Sequence, residues 1–78
     1  MEREKVLFPN LEAELARITL SKSALSKIIG IASGSVYSKL SGKTEFNLAE
    51  MQAIRNVLNQ MTEQHFTLDY LFLKRGEY

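Results

Sequence analysis

The stretch Ser21–Lys43, SKSALSKIIGIASGSVYSKLSGK, decides how the rest of this chain is read. Ser21 suits a helix N-cap, because its hydroxyl accepts from the exposed amides of a first turn. Ala24, Leu25, Ile28 and Ile29 follow at helical spacing and form an expected buried stripe. Gly30 stops that helix, since glycine takes the left-handed conformation without a Cβ clash. Ile31 is expected to turn back into the core. A second helix opens at Ala32 or Ser33, points Val36 and Leu40 inward at i and i+4, and stops at Gly42. The spacing therefore predicts helices over 22–29 and 33–41 joined by a tight turn. Ser26, four positions before Gly30, is small enough for a close crossing, and Val36, six positions after it, is β-branched and suited to lock the angle.

Outward from this stretch the chain continues as helix. Val6, Leu7 and Phe8 precede Pro9, which disfavours a helical residue before it. Asn10 is read as the N-cap of a helix over 10–19, with Leu11, Leu15 and Ile18 inward and Phe8 packed back as a hydrophobic staple. Glu12 and Glu14 stand near the positive end of its dipole and Arg17 near the other. On the other side, Lys43–Phe46 is a loop with Phe46 expected to be buried. Asn47 and Glu50 form a capping-box pair. Leu48, Met51, Ile54, Val57, Leu58 and Met61 then hold a helical period, giving a helix over 48–60. Thr67 caps a last short helix over 68–73. Residues 1–5 and 74–78 read as flexible tails. The expectation is one all-α domain of five helices spanning 1–78.

At 78 residues a single core gives only marginal stability, and with no cysteine there is no disulfide or thiolate metal site to help. Absence of cysteine fits a reducing cytoplasm. The mixed charge of MEREKVLF does not fit a signal peptide, and no apolar run approaches the ~20 residues that span a bilayer. His65 is the one histidine. Metal-ligand spacing, a phosphate-cradling glycine loop and an activated nucleophile are all missing from the pattern, so neither an enzyme nor a cofactor is expected.

Net charge is +1, but it is unevenly distributed. Arg17, Lys22, Lys27, Lys39 and Lys43 fall between Leu15 and Thr44 with no acid among them, and the remaining five basic and nine acidic residues come to −4. The central helix pair is thus the electropositive part of a polarised surface.

Phe8 to about Phe72 resembles the Cro/CI-type (XRE) helix-turn-helix family of phage regulators, especially its short members. The likeness is carried by FPNLEAELAR, LSKSALSKIIGIASGSVYSKLSGKTEF and NLAEMQAIRNVL, with GIASGSVYSKLSGKTEF the most specific part. The resemblance implies a five-helix, λ-repressor-like domain whose second motif helix lies in the major groove of double-stranded DNA. By position, it implies a DNA-contacting lead residue at Lys22. Base-reading positions fall at Ser33, Gly34 and Ser38, with Ser35 and Tyr37 beside them. Backbone contacts fall at Ser41 and Lys43, with Lys39 near. Bidentate base readers are Arg, Lys, Gln and Asn, so serine and glycine at these positions offer weak direct readout.

In the family the fifth helix often carries a homodimer interface. For Phe66, Tyr70, Phe72 and Leu73 two roles stay open: closing the core, or forming a dimer or partner contact. Two functions follow as expectations. One is a phage-type transcriptional regulator that binds operator DNA as a dimer. The other is a modulator, an antirepressor or co-repressor, that reuses the fold to bind a partner repressor.

Overall fold

A computed structural model describes residues 6–76, and every regular element among them is an α-helix. The order is α1 (Pro9–Arg17), α2 (Lys22–Ile29), α3 (Ser33–Ser41), α4 (Leu48–Thr62) and α5 (Leu68–Leu71). The tails expected at 1–5 and at 77–78 lie outside the described residues.

The central pair follows the sequence closely. The Ser21 hydroxyl accepts from the Ala24 amide at 3.0 Å, and Gly30 and Gly42 take φ of +80° and +92° after α2 and α3. A Cβ at Gly30 would meet nothing within 4 Å, so backbone conformation rather than space requires glycine there. Ile31 N–H closes on the Ser26 carbonyl at 3.0 Å, and Lys43 N–H on the Ser38 carbonyl at 2.9 Å. These are the six-to-one bonds of Schellman caps.

The same cap explains where the first helix departs from expectation. Leu20 N–H reaches the Leu15 carbonyl at 2.9 Å, Thr19 N–H reaches Ala16 at 3.1 Å, and Thr19 sits at φ +56°. A threonine occupies the position usually held by glycine, so the end at Arg17 carries no glycine signal and reads two residues late in the sequence. The start also moves. Pro9 is the first helical residue, where its missing N–H costs nothing and its φ is already set. Phe8 is therefore the N-cap and Asn10 is not; Asn10 lies inside the first turn and donates Nδ2–H to the Tyr70 carbonyl at 2.9 Å.

Phe8, Leu11, Leu15, Leu25, Val36, Leu40, Ile54, Leu58 and Leu71 form the buried core. Ile28 does not join it and is 53% exposed. Ser26 is buried instead, with its hydroxyl donating to the Ser23 carbonyl at 2.6 Å. Residues two apart on a helix point about 200° from each other at 3.6 residues per turn, so turning Ser26 inward turns Ile28 outward. Leu48 and Met61, at the ends of the α4 stripe, are likewise exposed. The α4 capping box forms as expected, with Asn47 Oδ1 accepting from Glu50 N–H at 2.8 Å and Glu50 Oε1 from Asn47 N–H at 3.0 Å. That helix runs to Thr62, and Glu63 caps it at φ +58°.

Packing joins α2 to α3 and α4, and α5 to α1 and α4. Phe8 is less a staple on α1 than one corner of a ring cluster. Its ring lies 5.8 Å from Phe46 and 5.6 Å from Phe72, and those two lie 5.4 Å apart. Phe46 is half-buried there. The last helix is shorter than read and ends at Leu71, with Thr67 capping it through Tyr70 N–H at 3.1 Å. Residues 74–76 are no free tail, because Arg75 N–H donates to the Leu7 carbonyl at 2.7 Å and ties the two ends together. No helix among the described residues is long and apolar enough to cross a membrane.

Candidate nucleic-acid interface

Val36 and Leu40 turn one side of α3 into the core, and a neighbouring strip of the helix is open to solvent. Ser33, Gly34, Tyr37 and Ser41 are exposed, and their i, i+1, i+4, i+8 spacing puts them on one face. Ser35 and Ser38 are half-buried beside it. The Ser38 carbonyl takes the Ser41 hydroxyl at 2.9 Å and the Lys43 amide, so this part of the backbone serves the C-cap. A Cβ at Gly34 would meet nothing within 4 Å and its φ is not positive, so neither space nor conformation requires glycine there.

The lysines divide into different environments. Lys43 and Lys27 are exposed. Lys22 Nζ lies 3.2 Å from Glu12 Oε1 and 5.6 Å from the centre of the Tyr37 ring, so it links α1, α2 and the exposed face of α3. Cation–π attraction toward the ring and the Glu12 carboxylate together orient this side chain, and Glu12 also offsets part of its charge. Lys39 is different. Its Nζ sits 2.6 Å from Glu50 Oε2, and the two side chains are only 16% and 15% exposed. The hydrogen bond from Lys39, joined by that from the Asn47 backbone amide, holds the Glu50 carboxyl below its ordinary value against the opposing effect of burial. Of the residues expected to touch DNA, α3 and its flanks thus bring Ser33, Gly34, Tyr37, Ser41 and Lys43 to the surface, leave Lys22 half-buried beside Glu12 and draw Lys39 toward α4.

The expected partner residues are largely turned inward. Phe72 belongs to the ring cluster with Phe8 and Phe46, and Leu73 is half-buried. Phe66 stacks on Tyr70 at 5.6 Å, with its N–H held by Asn59 Oδ1 at 2.7 Å. Tyr70 keeps 38% exposure while its hydroxyl donates to Glu14 Oε2 at 2.7 Å.

Two polar contacts at the heart of this arrangement have little sequence signal. Lys39 and Glu50 are eleven residues apart on different helices, and Tyr70 and Glu14 are fifty-six apart. The Arg17–Glu14 pair at 2.6 Å is different, since its i, i+3 spacing is readable from sequence. Among the described residues no cluster of three His, Asp or Glu stands ready to hold a metal ion. No family model, curated relative or solved structure matches this chain.

Proposed function

We propose that this chain is a phage-type transcriptional regulator of the Cro/CI helix-turn-helix kind, acting in the cytoplasm as a homodimer on operator DNA and without catalytic activity. The observation that carries the reading is the face of α3. Ser33, Gly34, Tyr37 and Ser41 stand exposed on a helix that packs Val36 and Leu40 into the core, reached through a glycine turn, within a segment of five basic residues and no acid. In this reading α2 and α3 are the motif and α3 enters the major groove. Lys22 and Lys43 hold phosphates at its flanks. Dimeric binding sets half-sites about 34 Å apart, one helical turn.

Salt dependence of binding to intergenic DNA beside the gene tests this, by gel shift or fluorescence anisotropy. With about three phosphates neutralised per subunit, the slope of log affinity against log salt is expected near −3 per subunit. Lys22→Glu and Lys43→Glu are each expected to weaken binding and flatten that slope. DNA retardation that ignores both substitutions overturns the reading.

The second reading, a protein-binding modulator of a partner repressor, draws on the same face. Serine and glycine offer few bidentate contacts to base edges. It expects Ser33→Ala and Ser38→Ala to leave function intact and Tyr70→Ala to abolish partner capture in a variant that stays folded.

A further inference from the structure

We infer that the Lys39–Glu50 ion pair is a positioning strut that fixes the angle of α3 against α4, and that Lys39 acts through this pair rather than as a phosphate contact. The consequence for DNA rests on the DNA-binding reading above; the consequence for α3 itself does not.

The strut follows from how α3 is held. Its helix packing is chiefly with α2, and its N-terminal end is set by the Gly30 turn. At its far end Lys39 crosses to the first turn of α4, where Glu50 Oε2 receives Nζ at 2.6 Å. Glu50 is itself pinned, because Oε1 accepts the Asn47 amide at 3.0 Å while Asn47 Oδ1 accepts the Glu50 amide at 2.8 Å. One carboxylate therefore caps α4 with one oxygen and tethers α3 with the other. Both side chains are shielded from water, where an ion pair is weakened less by solvent and salt than an exposed one. Removing either partner leaves the other charge poorly compensated. With Nζ at 2.6 Å from Glu50 Oε2, Lys39 reaches a phosphate only by leaving Glu50.

Three variants separate a strut from a phosphate contact. Glu50→Gln keeps a side chain that serves a capping box but removes the charge. Lys39→Met removes the ammonium and keeps the unbranched stem. Lys39→Arg keeps a charge-assisted hydrogen bond to Glu50. The readouts are amide hydrogen exchange across α3 without DNA, and DNA affinity with its salt slope, on variants whose circular dichroism is native.

Lys39→Met and Glu50→Gln are each expected to speed exchange in the last turn of α3 and to weaken DNA binding. The expected loss is about tenfold, within the range of coupling between separated positions. The salt slope stays that of the parent, and Lys39→Arg restores both readouts. The sign for Glu50→Gln is the decisive one. Charge alone favours tighter DNA binding when an acid is removed and Lys39 is released, whereas loss of the strut weakens it. Tighter binding with a steeper slope in Glu50→Gln overturns the inference. So does a slope shallower by about 0.9 in Lys39→Met with native exchange, the mark of one lost phosphate contact. If the parent chain binds no DNA, the DNA-binding reading fails, and the exchange arm decides the strut by itself: unchanged protection in both variants ends it.

Discussion

Gly30, Gly34 and Gly42 lie within thirteen residues of one another, yet they answer to different causes. Gly30 and Gly42 sit at φ +80° and +92°, where a side chain costs backbone energy. Gly34 sits in the first turn of α3 with ordinary φ and open space where a Cβ would go. Glycine inside a helix is destabilising by roughly 0.5–1 kcal/mol relative to alanine, so its presence here weakens α3 for no reason internal to the fold. Close approach of another molecule to the backbone is the physical circumstance that favours it. Gly34→Ala is therefore expected to raise the thermal midpoint by up to about 4–8 °C, the shift that ~1 kcal/mol produces in a domain of this size. Under the DNA-binding reading the same variant binds DNA more weakly. Calorimetry and anisotropy on one preparation measure both, and a variant that gains stability and affinity together excludes close approach at Gly34.

Between elements, α5 is latched onto α1 through the buried Glu14 carboxylate. Glu14 is 5% exposed, and its Oε2 receives the Tyr70 hydroxyl at 2.7 Å and Arg17 at 2.6 Å. Burial pushes the Glu14 carboxyl up, but the hydrogen bonds from Tyr70 and Arg17 outweigh it and hold the carboxyl below its ordinary value. The sign then follows from linkage. A carboxyl with a lowered folded pKa contributes stability that is present above its unfolded value, about 4.3 for glutamate, and is lost as pH falls through the folded one. Tyr70→Phe deletes one donor to a buried carboxylate, with an expected loss of about 1–3 kcal/mol at neutral pH. It is also expected to shrink the difference in stability between pH 7 and pH 3. Urea titrations at the two pH values check this, and an unchanged acid limb shows that Tyr70 does not hold the Glu14 charge. The latch also marks what the sequence could and could not disclose. Five helix starts or stops were legible because each rests on local chemistry: Ser21, Gly30, Gly42, the Asn47–Glu50 box and Thr67. The end of α1 was obscured because Thr19 does a glycine's work at φ +56°. Lys39 reads from sequence as a surface cation, and Tyr70 as either a core or a contact residue, since the partner of each is fixed by tertiary packing alone. Ser33, Gly34 and Tyr37 follow by position from the resemblance; helical phase alone does not single them out, because Ser33 and Tyr37 lie within about 60° of the inward Leu40 at 3.6 residues per turn.

At the scale of the whole molecule the question is whether α5 belongs to the folding unit or hangs from it. Only four residues long, α5 is too short to be stable as an isolated helix. Leu71 nevertheless has no exposed surface, and Phe72 closes the ring cluster with Phe8 and Phe46. Arg75 then bonds to Leu7, so the described chain ends are joined across the same region. A single domain of 78 residues is expected to have roughly 4–12 kcal/mol of stability, at about 0.05–0.15 kcal/mol per residue. Truncating one fully buried leucine to alanine removes about 2–5 kcal/mol. The two ranges are close enough that one side chain of α5 carries a large share of the total. Leu71→Ala is expected to lower the urea midpoint by about a sixth or more with an unchanged m-value, because the whole chain still unfolds as one unit. Circular dichroism reports the helices and, in a background with Tyr37 and Tyr78 changed to phenylalanine, the fluorescence of Tyr70 reports the α1–α5 contact, and the two curves should coincide. A tyrosine transition that precedes the loss of helix shows α5 to be a separable appendage. Coincident curves mean that loss of activity on altering Phe72 or Leu71 reports on folding first, so a partner surface near α5 must be sought at Tyr70, which keeps 38% exposure.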